Sequence, residues 1–245
     1  MFDHVTIRVS DRGASERFYD TVLTPLGIDT SYRTNFFTVW REFTLTESDG
    51  EHPVTRGVEL AFVAPSREQV EDFWESGRGW GHLSGPDPAQ RDGDYVAWLQ
   101  DPDGNRVEAV HGGAARPGAA HRDGRIHELV IRVSDLAAAT AFYRTIADAA
   151  GYRLASEGAD RAVFAAASGG GTLALVAGRP ATENLHIAFP GDDDAVRRFH
   201  DLATTAGYRS NGEPARRAQY HAGYYAAYVL DPDGTNVEVV SHNLG

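Results

Sequence analysis

Cysteine is absent from the 245 residues, which removes disulfides, thiolate metal sites and cysteine nucleophiles together. Any metal must therefore be held by His, Asp or Glu. Lysine is absent too: all 23 basic residues are arginine, set against 35 acidic ones, and the net charge is -12. A nucleic-acid binder carries a basic patch, and no basic run occurs. An acidic surface offers no attraction to phosphates or anionic membranes. No apolar run approaches the roughly 20 residues that span a bilayer. The opening "MFDHVTIRVSD" reads as a strand and has no signal-peptide pattern. The expected location is cytoplasmic. The expected partner is a small molecule, with no nucleic acid and no membrane, and the chain is expected as a monomer or homodimer.

What is present is a core and a repeat. Apolar residues make up 42% of the chain, normal for a globular protein, and the length suits two domains. "DPDGNRVEAV" from Asp101 to Val110 returns as "DPDGTNVEVV" from Asp231 to Val240. "HVTIRVSD" from His4 returns as "ELVIRVSD" from Glu128, and "VELAF" from Val58 as "LHIAF" from Leu185. The "RFYD" near Arg17 matches "AFYR" near Ala141. A Gly-, Ala- and Pro-rich stretch between the copies reads as a linker. The expected organisation is a first domain over 1–112, a linker over 113–124 and a second domain over 125–245. Each half restarts midway as strand, helix and further strands, so the chain holds four βαβββ units. Helices are expected near Ala14–Leu23 and Leu136–Ala150, each preceded by an aspartate (Asp11, Asp135) suited to capping. The DPDG segments have a local reason: Pro presets a type I turn and Gly accepts the positive φ that closes a bulged hairpin.

Side chains alternate faces along a strand. Val5, Ile7 and Val9 share the packed face of the first strand, leaving His4, Thr6 and Arg8 on the other. The same alternation frees Glu59, Glu108, Glu128, His186 and Glu238 from the packed faces of their strands. His127 turns to the packed side unless a bulge intervenes. Each half thus offers three metal-capable side chains: His4, Glu59 and Glu108 in the first, Glu128, His186 and Glu238 in the second. If each half curls into a cup, each trio converges. An imidazole with two carboxylates suits a divalent ion such as Zn, Mn, Fe, Ni or Co. A charged or imidazole group set in an apolar strand also needs a partner, and Arg8 and Arg132 are available as ion-pair partners or as binders of a substrate anion.

On these residues the chain resembles the vicinal oxygen chelate superfamily of glyoxalase I, extradiol dioxygenases, and fosfomycin- and bleomycin-resistance proteins. The motifs that carry the resemblance are "DHVTIRVSD...FY", "LHIAF", "YVAWLQDPDGNRVEAV" and "YYAAYVLDPDGTNVEVV". It implies an α+β fold: tandem paired βαβββ units forming two cupped mixed sheets with helices on the outside. It also implies metal ligands on the first, fifth and last strands, the positions of the two trios. The dioxygenase pattern of that family is His, His, Glu. Within each half this sequence departs from it, with Glu59 at the middle position of the first trio and Glu128 at the first position of the second.

The second half is the favoured site. There His186 and Glu238 would hold a metal that polarises a small oxygen-chelating substrate, as a lyase, isomerase or dioxygenase requires. Glu238 would also act as base, and His221 would move protons near neutral pH. Tyr220 and Tyr225, in "AQYHAGYY", would line the mouth. "WESGRGWGHLSG" in the first half reads as a Gly-rich flap. The alternative is a non-catalytic protein that sequesters an antibiotic or metabolite between aromatic walls.

Overall fold

The computed structural model describes residues 1–79, 84–112, 126–166 and 169–243. The expected linker at 113–124 and part of the expected flap lie outside these residues. Four units follow in order. The first is β1 (His4–Val9), α1 (Arg12–Leu23), β2 (Tyr32–Arg33), β3 (Phe37–Trp40) and β4 (Phe43–Glu47). The second is β5 (Val58–Val63), α2 (Arg67–Gly79), β6 (Ala89–Arg91), β7 (Asp94–Gln100) and β8 (Arg106–Gly112). The third is β9 (Ile126–Val133), α3 (Leu136–Ile146), β10 (Tyr152–Glu157), β11 (Arg161–Ala166) and β12 (Thr172–Ala177). The fourth is β13 (His186–Pro190), α4 (Asp193–Thr205), β14 (Ser210–Arg216), β15 (Tyr225–Leu230) and β16 (Asn236–Ser241).

Local chemistry explains the boundaries. Asp11 and Asp135 accept from the backbone N–H of Ala14 and Ala138 at 2.8 and 3.0 Å, and so cap the first turns of α1 and α3. Helix α3 stops at Ile146, short of the expected Ala150. The chain turns there and leaves through Gly151 at φ 72. The stretch "FFTVWREFTL" divides into β3 and β4 where Arg41 takes φ 58.

The strands form two eight-stranded sheets. One runs β14-β15-β16-β13-β1-β4-β3-β2 and the other β10-β11-β12-β9-β5-β8-β7-β6. The first unit therefore pairs with the fourth, and the second with the third. Strand β1 meets β13 antiparallel, with His4 opposite Ala188 and Thr6 opposite His186. Strand β5 meets β9 with Glu59 opposite Val130 and Ala61 opposite Glu128. That register slips by one between Ala61 and Phe62, so a bulge does intervene at His127. The convergence expected within each half does not occur. Both trios exchange members, and the reason is non-local. Each unit leaves the outer edge of its first strand unpaired, an edge that must be covered. Alternation sets a residue's face but does not name the strand that comes alongside.

The apolar faces of both sheets and the inner sides of the helices form one continuous core. Tyr19 packs on Phe43 at 4.7 Å between ring centroids, and Phe43 on Phe62 at 5.7 Å, which carries packing from one sheet to the other. The DPDG turns complete this link. Gly104 and Gly234 take φ 84 and 92, as the turn requires. The carboxylate of buried Asp101 accepts the hydroxyl of Tyr19 at 2.9 Å, and Asp231 accepts that of Tyr143 at 3.2 Å. A helix of one sheet is thereby bonded to a hairpin turn of the other, once in each half, which is why turn and tyrosine recur together.

Candidate metal centre

The exchange of strands brings His4, His186 and Glu238 together. Glu238 stands on β16 opposite Ala188, which itself faces His4 across the β1–β13 junction. His4 Nε2 lies 3.1 Å from His186 Nε2. Glu238 Oε2 lies 2.9 Å from His186 Nε2 and 3.6 Å from His4 Nε2. Among the described residues this is the one cluster of three metal-capable side chains with ligand atoms all within 4.8 Å of one another. Glu238 is 1% exposed. Burial works against its charge, but the bond from His186, the His186 and His4 rings, and the Tyr224 hydroxyl outweigh burial and hold its carboxyl below the ordinary value. His4 is buried too. Its bond to Asp3 and the charges of Glu238 and Asp3 overcome that burial and raise its pKa.

The donor set fits a divalent ion. The far nitrogen of each imidazole is engaged, His4 Nδ1 with Asp3 at 2.8 Å and His186 Nδ1 with the backbone oxygen of Asn236 at 3.1 Å, which leaves both Nε2 atoms facing the carboxylate. Tyr224 donates its hydroxyl to Glu238 Oε1 at 2.7 Å, so the second carboxylate oxygen remains for the cluster. Tyr228 is the cross-strand partner of Glu238. Burial and the nearby Glu238 charge raise the pKa of both phenols far above their usual value, so both stay protonated donors. Ala188, Tyr224, Ala226 and Val240 make the apolar floor.

A symmetry relation shows what the fourth corner lacks. The β1–β13 junction has an approximate two-fold through Val5 and Ile187, exchanging His4 with His186 and Thr6 with Ala188. Ala188 faces Glu238 on β16, whereas Thr6 faces Thr44 on β4. The position related to the carboxylate is thus a threonine.

The family model described as Glyoxalase/Bleomycin resistance protein/Dioxygenase superfamily matches residues 1–109 and 125–239. The chain belongs to this superfamily. Glyoxalase I from Zea mays shares the fold, with a TM-score of 0.71 at 18% identity, covering 98% of this chain and 92% of the maize chain. A glyoxalase/bleomycin resistance protein from Albidiferax ferrireducens is 35% identical over 45% of this chain and 98% of its own, with a TM-score of 0.42. No curated protein matches the chain.

The remaining three metal-capable residues of this superfamily member collect on the other sheet. Ala61 faces both Glu108 and Glu128, and Glu59 adjoins it. Arginines occupy these carboxylates. Arg161 bonds Glu128 at 2.7 Å, while Arg106 pairs with Glu108, lies 3.8 Å from Glu59 and covers Trp98. Burial, then the neighbouring carboxylates, raise the Glu108 pKa against the pull of Arg106.

The other expected residues scatter. Arg8 lies on the same face of β1 as His4, half-buried, with the charge of Asp49 and the Tyr220 hydroxyl near it. Arg132 belongs to the other sheet, where its guanidinium packs on Gly57. Tyr225 faces α4, with Arg197 over its ring, because it shares the packed side of β15 with Ala227 and Val229. Tyr220 is 57% exposed and touches Tyr224 at 4.8 Å between centroids. His221 meets the site through two neighbours, His242 at 2.9 Å and the Tyr224 ring at 5.4 Å between centroids. Sequence reasoning missed Asp3, Tyr224, Tyr228 and His242. Alternation along "YYAAYVL" carried the signal for the tyrosines, since Ala227 and Val229 pack and Tyr224 and Tyr228 must then face the cup. No sequence signal marks His242.

No helix among the described residues is long and apolar enough to cross a membrane.

Proposed function

We propose that this chain is a metal-dependent enzyme acting on a small substrate with two adjacent oxygens, and that its chemistry is of the dioxygenase type. The observation that carries the proposal is the set of two imidazoles and one carboxylate with Thr44 at the fourth corner. Two His and one carboxylate with open positions is the arrangement typical of non-haem iron oxygenases. A fourth protein ligand would leave fewer positions for a chelating substrate. When bound, a divalent metal supplies Lewis acidity toward substrate oxygens and, as iron, a route for electrons to dioxygen.

The chain's own residues do the rest. His4, His186 and Glu238 hold the metal. Tyr224 keeps Glu238 oriented and acts against its moving off as a base. Tyr228, protonated and next to the carboxylate, donates a hydrogen bond to a substrate oxygen. Arg8 engages an anionic substituent further along β1. Tyr224, Ala226 and Val240 keep the floor dry, which strengthens each of these interactions. Oxygen uptake by Fe(II)-loaded protein against a panel of catechols and hydroxycarbonyl compounds tests the reading. Turnover without oxygen, with Ni, Co or Zn, would move the chemistry to a lyase or isomerase. Ligand capture indifferent to a chelator, with no turnover, would overturn the enzyme reading for a sequestering protein.

A further inference from the structure

The two imidazoles of the centre are held differently. His186 Nδ1 sits between two groups of Asn236, the backbone oxygen at 3.1 Å and the side-chain amide at 2.9 Å. His4 Nδ1 faces a carboxylate oxygen, Asp3 Oδ1, at 2.8 Å. A carboxylate only accepts, so the proton must be on His4 Nδ1 and the lone pair on Nε2, the atom that faces His186 and Glu238.

Asp3 is itself held from both sides. Its backbone N–H donates to Ala188 O at 2.9 Å, and its Oδ2 accepts from His242 Nε2 at 2.8 Å. His242 Nδ1 lies 2.9 Å from His221 Nε2, and His221 Nδ1 accepts the backbone N–H of Gly223 at 3.1 Å. Both ends impose the same direction. The carboxylate at one end only accepts, the amide at the other only donates, and the two neutral rings between them, His242 and His221, satisfy every nitrogen. The two outer rings stack, with centroids 5.2 Å apart at 17°. Gly223 makes this approach possible. A Cβ there would lie 2.2 Å from the His242 backbone oxygen and 2.7 Å from that of Asn243, so only glycine lets the turn close on the segment carrying His242.

We propose that Asp3, clamped by His242, is the positioning residue that fixes the ring and tautomer of His4 for the metal, with His221 completing the clamp. The proposal rests on the metal-holding role of His4. Such outer partners orient a ligand and raise its basicity. Replacing Asp3 by Asn exposes the logic. If the amide oxygen serves His4, the amide N–H₂ meets the His242 N–H. Turning His242 to its other tautomer sets it against His221, and turning His221 sets it against the Gly223 N–H. Neutral rings satisfy all four contacts only if the amide turns its N–H₂ to His4 Nδ1 and its oxygen to the His242 N–H, and that moves the His4 proton to Nε2, the atom the metal needs free.

The test uses chelator-treated full chain, Co(II) titration, and nitrogen-resolved NMR of the histidine rings. In wild type, His4 should carry its proton on Nδ1. Asp3→Asn should lose that preference and weaken Co(II) binding about 10- to 100-fold. His242→Gln keeps an N–H for Asp3 and should stay within about threefold of wild type, while His242→Phe keeps a ring without the donor and should weaken binding like Asp3→Asn. A packing role would give the reverse order, and this pair decides the matter if Asp3→Asn does not fold. Wild-type affinity in Asp3→Asn, or equal loss in both His242 variants, overturns the proposal. If wild type takes up no Co(II), the metal reading fails and the tautomer decides separately: Nδ1–H lost in Asp3→Asn upholds the clamp, and Nε2–H in wild type overturns it.

Discussion

Glu238→Gln is the sharpest probe of the centre because it removes a charge and keeps a shape. The amide oxygen can still accept from Tyr224, which lies 2.7 Å from Oε1, and the amide N–H₂ can donate to His186 Nε2 in place of the contact at 2.9 Å. The fold should therefore survive. The ion should not remain, since two neutral imidazoles are left to hold it. A ligand at about 100 times its Kd stabilises the native state by about 2.7 kcal/mol. For a chain of this length each kcal/mol moves the melting temperature by about 2–4 °C, so wild type should gain about 5–11 °C. Outer partners of a metal ligand are worth about 10–100-fold in affinity, and a charged direct ligand exceeds that. A Kd raised about 1000-fold leaves the same metal at about a tenth of Kd, worth under about 0.1 kcal/mol and a shift well below about 1 °C. Calorimetry of chelated protein with and without Mn, Fe, Co, Ni or Zn measures both. A full shift retained in Glu238→Gln would refute the reasoning, as would its loss in Glu108→Gln, because Glu108 lies on the other sheet against Arg106.

Metal titration followed by elemental analysis should find one equivalent per chain, since Arg106 and Arg161 already occupy Glu59, Glu108 and Glu128; two equivalents would show that the arginines yield. The pH response of the metal-free protein has a worked sign. His4, raised above 6.5, stabilises the fold fully below pH 6.5 and loses that contribution as pH rises through its folded value, while Glu238, held below 4.5, contributes above pH 4.5 and loses it as pH falls through its own. The stabilisation from this pair should thus be greatest between those two values. Metal binding needs unprotonated imidazoles, so the metal-induced rise in melting temperature should instead grow as pH increases from about 6 to about 8; a rise that is flat across this range would remove His4 from the ligand set. Tyr19→Phe leaves buried Asp101 one donor short and should cost about 1–2 kcal/mol in urea unfolding, with the metal response intact.

The sequence by itself determined the repeat, the four units, the face on which each residue stands and the six positions able to reach a metal, because strand alternation, capping aspartates and DPDG turns are local chemistry. His4, Glu59, Glu108, Glu128, His186 and Glu238 all left the packed face as alternation required. The superfamily was legible in the same motifs. Which of the six meet was decided by the tertiary structure alone. A β-strand edge pairs with whatever strand the rest of the fold brings to it, and four similar units allow more than one pairing. Joining β1 to β13 put two imidazoles and a carboxylate in one cup, and joining β5 to β9 put three carboxylates and two arginines in the other. The clamp from Asp3 through His242 spans 239 positions. It is a contact between distant segments, set by how β16 and the chain beyond it return beside β1, and no spacing in the sequence encodes it.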